Sequence, residues 1–374
     1  MILTVFIISL LYLLLIGAFL WGFHKIRRFH PKAVNPKTTF SIIIPFRNEA
    51  GNLPRIVSAL GELAYPKHLF EVIFVDDDST DNSVDRLNEV LSPSPLDTTI
   101  IKNNRMTPAP KKDAITTGIA ASKYEWVITT DADCVLPRHW LNSYDVFIQH
   151  TKSQCIVGPV RFYTKANFFN SFQVLDFLSL QATAIGAFGI RQPFLSNGAN
   201  LAYTKSLFHQ LQGFEGNTHI ASGDDIFLLE KAVRTHPGAV HYMKCKAAIV
   251  NTFPEPTWRN YLQQRIRWAS KAKAYNNWFG KYTGAVVLSM NALIIIGAVL
   301  FGIGLLSFEY VLFPLILKLS IDFSLLYVTA LFFDQQRHLK QFLISFLIYP
   351  FVTVYSALMA LFSSYSWKGR TFKS

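Results

Sequence analysis

Four stretches near the two ends of this chain carry almost no charge, and no water-facing fold can absorb all of them. Met1–Gly22 has no charged residue and then meets His24-Lys25-Ile26-Arg27-Arg28. Ala285–Phe308, Val311–Phe333 and Phe342–Phe362 are the other three. A helix crossing a bilayer needs ~20 mostly apolar residues, and each stretch is long enough. The composition agrees: 51% hydrophobic, 16% charged and a mean hydropathy of +0.25 over 374 residues, too apolar for a soluble enzyme of this length.

A secretory signal would carry its basic residues ahead of the apolar run and a small-residue cleavage site behind it. Here the basic cluster comes after, so residues 1–23 are expected to be a retained anchor. The positive-inside rule then places the following domain in the cytoplasm, at a bacterial-type inner or plasma membrane. If all of 285–362 crosses three times, the basic tail 363–374, with Trp367-Lys368-Gly369-Arg370, ends outside, against that rule. One C-terminal segment being re-entrant or interfacial therefore stays open. Lys318 and Asp322 sit one turn apart inside the middle segment. That spacing suits a mutually neutralising pair and equally a polar wall along an acceptor path.

The net charge is +12 and the pI about 9.5. Much of the basic charge flanks the apolar runs, where attraction to anionic lipid accounts for it, so nucleic acid is not an expected partner. Three scattered cysteines, Cys134, Cys155 and Cys245, lack metal-site spacing and fit a reducing compartment.

Between the ends, β-rich runs (Phe40–Ile44, Glu71–Val75, Thr98–Ile101, Glu125–Thr130) alternate with amphipathic stretches near Asn52–Leu63, Ser79–Leu91 and Lys111–Ala121. Nearly continuous apolar strands spaced by helices predict an α/β domain with a parallel sheet covered on both faces, over 38–256. Such sheets bind ligands beyond the carboxyl ends of their strands. The chemistry-bearing residues fall there: Pro45–Glu49, Asp76-Asp77-Asp78 and Asp131-Ala132-Asp133. No G-x-G-x-x-G loop follows the first strand, which argues against a bare dinucleotide cofactor. Acidic loops repel phosphate unless a hard divalent cation intervenes, so a metal-bridged nucleotide is the better fit.

Each acidic cluster has a structural alternative. Asp78 or Ser79 could cap the next helix, although capping does not explain three consecutive acids. Asp224-Asp225 could serve the first turn of a helix through its dipole, or supply a general base. Residues 257–283 place Trp258, Tyr261, Leu262, Ile266 and Ala269 at helical spacing among Arg265, Arg267, Lys271 and Lys273, the pattern of an amphipathic helix in the membrane interface. Arg267 could then contact lipid and Trp268 anchor the interface, or the pair could meet a diphosphate and a sugar ring.

In that order the segments resemble the membrane-bound family 2 glycosyltransferases. Ser41–Glu49 is similar to their opening strand and nucleotide loop, and Val75–Asp81 to their base-binding loop. Lys111–Gly118 is similar to G-K-x-x-A-L-N-x-G, with Pro110 and Thr116 replacing Gly and Asn. Asp131-Ala132-Asp133 matches D-x-D, and Gly223-Asp224-Asp225 matches the E-D pair with Asp first. Asn197–Tyr203 resembles the acceptor-side segment, and Gln264–Trp268 reads Q-x-x-R-W. The resemblance implies a GT-A (nucleotide-diphospho-sugar transferase) Rossmann-like domain. It implies inverting, hexosyl transfer from a nucleotide sugar, a UDP-sugar by analogy, to a lipid or lipid-linked hydroxyl. Such chemistry serves glycolipid or polysaccharide synthesis for the cell envelope. Implied roles are Asp225 as base with Asp224 beside it, and Mg²⁺ or Mn²⁺ on Asp133 with Asp131. Donor contacts would come from Pro45, Arg47, Glu49, Asp76, Asp77, Lys111, Asp131, Arg267 and Trp268, and acceptor-side contacts from Gly198, Asn200 and Gln264. A processive polysaccharide synthase of the same family and a catalytically inactive membrane scaffold are the competing readings.

Overall fold

The structure, a computed structural model, describes residues 2–32, 34–274, 276–362, 365–367 and 370–372. The chain opens with α1 (Ile2–Lys25), then β1 (Phe40–Phe46), α2 (Leu53–Gly61), β2 (Phe70–Asp76), α3 (Ser83–Leu91) and β3 (Thr98–Lys102). Next come α4 (Pro110–Ala121), β4 (Trp126–Thr129), α5 (Trp140–His150), β5 (Cys155–Val157), β6 (Val160–Phe162) and α6 (Phe168–Gly189). They are followed by β7 (Leu201–Thr204), α7 (Lys205–Gln210), α8 (Asp224–Thr235), β8 (Val240–Tyr242), β9 (Val250–Thr252) and α9 (Trp258–Ser270). Three long helices, α10 (Trp278–Gly302), α11 (Glu309–Phe333) and α12 (Phe342–Phe362), precede a hairpin of β10 (Tyr365–Trp367) and β11 (Arg370–Phe372). Lys368 and Gly369 of the expected basic tail lie outside the described residues.

The elements divide between two compact units. One comprises Arg27–Tyr163 and Leu195–Phe253. Its seven-stranded sheet has the order β3-β2-β1-β4-β7-β5-β8. β1 is parallel to β2 and β4, β2 is parallel to β3, and β7 runs antiparallel to β4 and β5. The β1 sequence FSIIIPF and the β2 sequence FEVIFVD are buried almost throughout, as strands covered on both faces must be. The expected strands and helices of this region are all present. Parallel register aligns Phe46 with Asp76, so the loops after β1, β2, β3 and β4 leave the sheet on one edge.

One expected boundary moves. α3 starts at Ser83 rather than near Ser79, and neither Asp78 nor Ser79 caps it. Instead the loop is stitched to its neighbour: Thr80 N donates to Asn48 Oδ1 at 2.8 Å, and Asn48 N to Ser79 Oγ at 3.1 Å. Asp78 takes a positive φ of 61°, and Asp81 receives Ser83 N at 3.0 Å. These bonds hold residues 77–82 as a loop where helix propensity alone would have continued.

The other unit gathers Met1–Ile26, Thr164–Phe194 and Pro254–Ser374. Among the described residues, α1, α10, α11 and the segment Gln336–Phe362 are long and apolar enough to cross a membrane. α10 begins seven residues before the expected Ala285, because Asn277 caps it through Gly280 N at 2.9 Å. It ends before Phe308 because Gly304, at φ 75°, turns the chain so that Leu305 N bonds Leu300 O at 2.9 Å. α1 and α6 meet backbone to backbone: a Cβ on Gly22 would lie 2.2 Å from Gly186 O. Lys318 is buried against Asp322, whose Oδ1 accepts from Tyr12 at 2.6 Å, with the rings of Tyr12, Phe346 and Tyr349 4.8–5.6 Å from the ammonium. Helices α1, α11 and α12 each supply a part of that packing.

Candidate active site

In the sheet unit, the first acidic loop is fixed by arginines on both sides. Arg47 Nη1, just past β1, donates to the carbonyl of Asp77 at 2.8 Å and to that of Asp78, and pairs with the Asp78 carboxylate at 3.6 Å. Asp77 is buried; its Oδ1 receives Asn103 Nδ2 and Arg105 Nε, each at 2.7 Å. Arg105 Nη2 also holds the Asp77 carbonyl at 2.8 Å. Half-buried Asp76 accepts from Ser79 N at 3.0 Å. The Glu49 carboxylate receives Asn52 Nδ2 at 2.6 Å, and its amide bonds Ser83 Oγ at 2.8 Å. Pro45 is half-buried in β1 opposite Val75. Asn103 and Arg105 escaped the sequence reading. The signal was available: they follow β3 on the same carboxyl edge as the loops that were singled out.

A second cluster joins three distant stretches. Lys111 Nζ, in the first turn of α4, lies 2.7 Å from Asp131 Oδ1 and 3.3 Å from Asp224 Oδ2. Burial works against its charge, but Asp131, Asp224 and Asp225 outweigh burial and hold its pKa above the usual lysine range. α8 starts behind Gly223, at φ 84°, so Asp224 and Asp225 occupy its first turn without capping it through their neighbours. Asp225 Oδ2 receives Gly198 N at 3.1 Å, and Gly198 O accepts from Thr129 Oγ1 at 3.0 Å. A Cβ on Gly198 would stand 2.8 Å from Asp224 Oδ2 and 3.3 Å from Lys111 Nζ, so glycine is what the space admits.

Asp133 completes the D-x-D turn. Burial first, then the neighbouring Asp131 charge, push its carboxyl up to about 6, with Lys111 pulling the other way. Among the described residues, no three His, Cys, Asp or Glu side chains gather as a metal group. Two crowded carboxylates still fit a hard divalent ion, which relieves their mutual repulsion and takes its remaining ligands from water and substrate phosphates.

Asn200 behaves differently from its neighbours. It is fully buried, and its amide is saturated: Nδ2 donates to Pro159 O and Ala248 O at 2.8 and 2.9 Å, while Oδ1 accepts from Trp140 Nε1 and Tyr144 OH at 2.9 and 2.8 Å. No hydrogen-bonding capacity remains for an acceptor.

Gln264, Arg267 and Trp268 belong to the other unit, on α9. Gln264 Nε2 donates to Glu255 Oε1 at 2.9 Å. Burial holds the Glu255 carboxyl above its ordinary value, with Arg267 and Gln264 opposing the rise. Buried Gln173 bonds both the amide and the carbonyl of Glu255, at 2.9 and 3.0 Å. The Trp268 ring lies 5.4 Å from the Arg265 guanidinium and 6.4 Å from Phe177. Arg265 pairs with Asp176 at 3.3 Å. Glu255 and Gln173 are further residues that no sequence motif had marked.

Comparison with known proteins decides the family. Residues 41–209 match the sequence model of Glycosyl transferase family 2, and residues 126–364, well over half of the chain, match that of Glycosyl transferase family group 2. This chain is a family 2 glycosyltransferase. It is similar to the Probable glycosyltransferase YdaM of Bacillus subtilis (strain 168), with 26% identity over 236 residues, 61% of this chain. The match spans about half, 54%, of that relative's length. The fold also resembles a solved structure of the mannosyltransferase PcManGT from Pyrobaculum calidifontis, described as a complex with GDP-Man and Mn²⁺. The TM-score is 0.60 at 16% identity, covering 96% of this chain and 99% of that one. The glycosyltransferase thus has the GT-A fold, with four apolar helices, among the described residues, that fit a membrane protein.

Proposed function

We propose that this glycosyltransferase moves a hexosyl group from a nucleoside diphosphate sugar to a hydroxyl of a lipid or lipid-linked acceptor, with inversion and with a divalent ion. The carrying observation is the convergence of Asp131, Asp224 and Asp225 around Lys111 and Gly198, residues brought together from separate stretches of the sheet unit. Catalytic groups must be brought within a few ångströms by a scaffold for such chemistry to run.

Asp225 takes the proton of the acceptor hydroxyl as that oxygen bonds the anomeric carbon. The bond from that carbon to the diphosphate oxygen breaks, and the nucleoside diphosphate leaves with the electron pair. Gly198 N–H fixes one Asp225 oxygen, so the carboxylate keeps its orientation through the step. Asp133 and Asp131 would hold Mg²⁺ or Mn²⁺, which when bound supplies positive charge to the departing diphosphate. Asp76, Asp77, Pro45, Arg47 and Glu49 shape the nucleotide loop, with Arg105 holding Asp77 in place. Donor roles for Arg267 and Trp268, and an acceptor role for Gln264, rest on the motif they form. Asn200 serves as a positioning residue behind Gly198. The cytoplasmic, inner-membrane placement of the catalytic domain rests on the basic flank at residues 24–28.

Detergent-purified protein supplied with UDP- and GDP-sugars, lipid extract and Mn²⁺ or Mg²⁺ should release nucleoside diphosphate. Asp225→Asn should lower turnover about 10²–10⁴-fold with donor affinity preserved. Near-normal turnover in that variant would remove the base assignment, and the anomeric configuration of the product tests inversion.

A further inference from the structure

Lys111 is expected from its motif to contact the donor, yet its ammonium already sits between two carboxylates of the protein. These lie 2.7 and 3.3 Å away, on the D-x-D turn and on the first turn of α8. Only 18% of the lysine side chain is exposed, and Asp224 is more deeply buried still. The clamp is backed on a further side. Gly198 leaves room for nothing larger than hydrogen beside Lys111 Nζ and Asp224 Oδ2, and its own amide holds Asp225. This cation thereby links the turn that carries the metal ligands to the helix start that carries the base. The two lie about ninety residues apart in sequence, so no local structure joins them.

We propose that Lys111 is a positioning residue: its ammonium ties Asp131 to Asp224, and so sets Asp225 against the acceptor hydroxyl, instead of binding donor phosphate. This rests on the proposed function above. Removing a cation held between two carboxylates takes away the charge that offsets their mutual repulsion, which displaces the first turn of α8. A displacement of about 1 Å at a reacting group lowers a rate about 10²-fold.

The test separates turnover from donor binding in detergent-purified full-length enzyme. Nucleoside diphosphate affinity is read by calorimetry with UDP or GDP and Mn²⁺, and turnover by nucleoside diphosphate release. Lys111→Met should lower kcat about 10²-fold and leave the Kd for nucleoside diphosphate within about twofold. Lys111→Arg, which keeps a cation between the same carboxylates, should recover about tenfold of that loss. Lys111→Met in an Asp224→Asn background should lower kcat little beyond Asp224→Asn alone, because both changes break the same link. A Kd weakened tenfold or more with kcat retained would make Lys111 a phosphate contact and overturn the inference, as would fully multiplicative losses in the double variant. If Lys111→Met fails to yield folded protein, Lys111→Arg carries the same reading: reduced kcat at unchanged Kd supports the clamp, and a changed Kd overturns it. Wild-type enzyme that binds no nucleoside diphosphate would sink the proposed function itself, and undiminished turnover in Asp225→Asn would remove its base assignment. A Kd response confined to Lys111 variants would sink only the clamp.

Discussion

Asn200 shows how differently two members of one motif can be employed. Gly198 offers its amide to Asp225, whereas Asn200, two residues on, gives all four of its bonds to Trp140, Tyr144, Pro159 and Ala248. Asn200→Ala should therefore lower stability by about 2–3 kcal/mol, from several buried partners left unsatisfied. Nucleoside diphosphate affinity in the folded fraction should stay unchanged, a pairing of results that denaturation and calorimetry can check. Lys244 is a second residue whose effect follows from its surroundings. Burial, and then Arg28, draw its ammonium down to about 8 from an ordinary value of 10.5. Between those pH values the unfolded chain holds the proton more tightly than the folded one. Stability contributed by this group therefore rises as pH climbs from about 8 toward 10.5, and at neutral pH the buried charge is a burden. Lys244→Met should raise the midpoint of thermal unfolding by roughly 2–4 °C at pH 7, with the gain shrinking by pH 10.

At the scale of elements, helix α1 is held by the absence of side chains. Gly22 on α1 faces Gly186 and Gly189 on α6, and a Cβ on Gly189 would lie 2.0 Å from Gly22 O. Apolar lipid gives helices little reason to associate, so close backbone packing through small residues carries more of the contact than it would in water. Gly22→Leu or Gly186→Leu should force α1 and α6 apart and destabilise by about 1–3 kcal/mol or more. Gly17→Leu on the same helix, with nothing within 4 Å, should be tolerated. Thermal unfolding in detergent distinguishes the two; equal losses would remove the crossing from the account. The loop before α3 carries the complementary lesson. Propensity alone extends that helix back to Ser79, but bonds from Asn48, more than thirty residues upstream, hold the segment as a loop.

For the whole molecule, chain order and spatial grouping part company. Thr164–Phe194, with α6, lies between two stretches of the sheet unit yet belongs with α1 and the C-terminal helices. A fragment spanning 27–253 carries α6 without those partners, exposing buried Phe172, Leu175 and Leu178. Expressed without detergent it should aggregate, while the full chain in detergent should run monodisperse on size exclusion. Local pattern was enough to read the strands β1 to β4, the helices between them, the apolar spans and the order of the acidic motifs. Those features depend on residues two to four positions apart, where period and spacing are written directly. The union of Lys111 with Asp131 and Asp224, the capture of Asp77 by Arg105, the saturation of Asn200 and the transfer of α6 to the other unit were settled only by the tertiary structure. Each joins groups distant along the chain, and such pairings are chosen by the packing of the whole sheet and helix set rather than by any neighbouring residue.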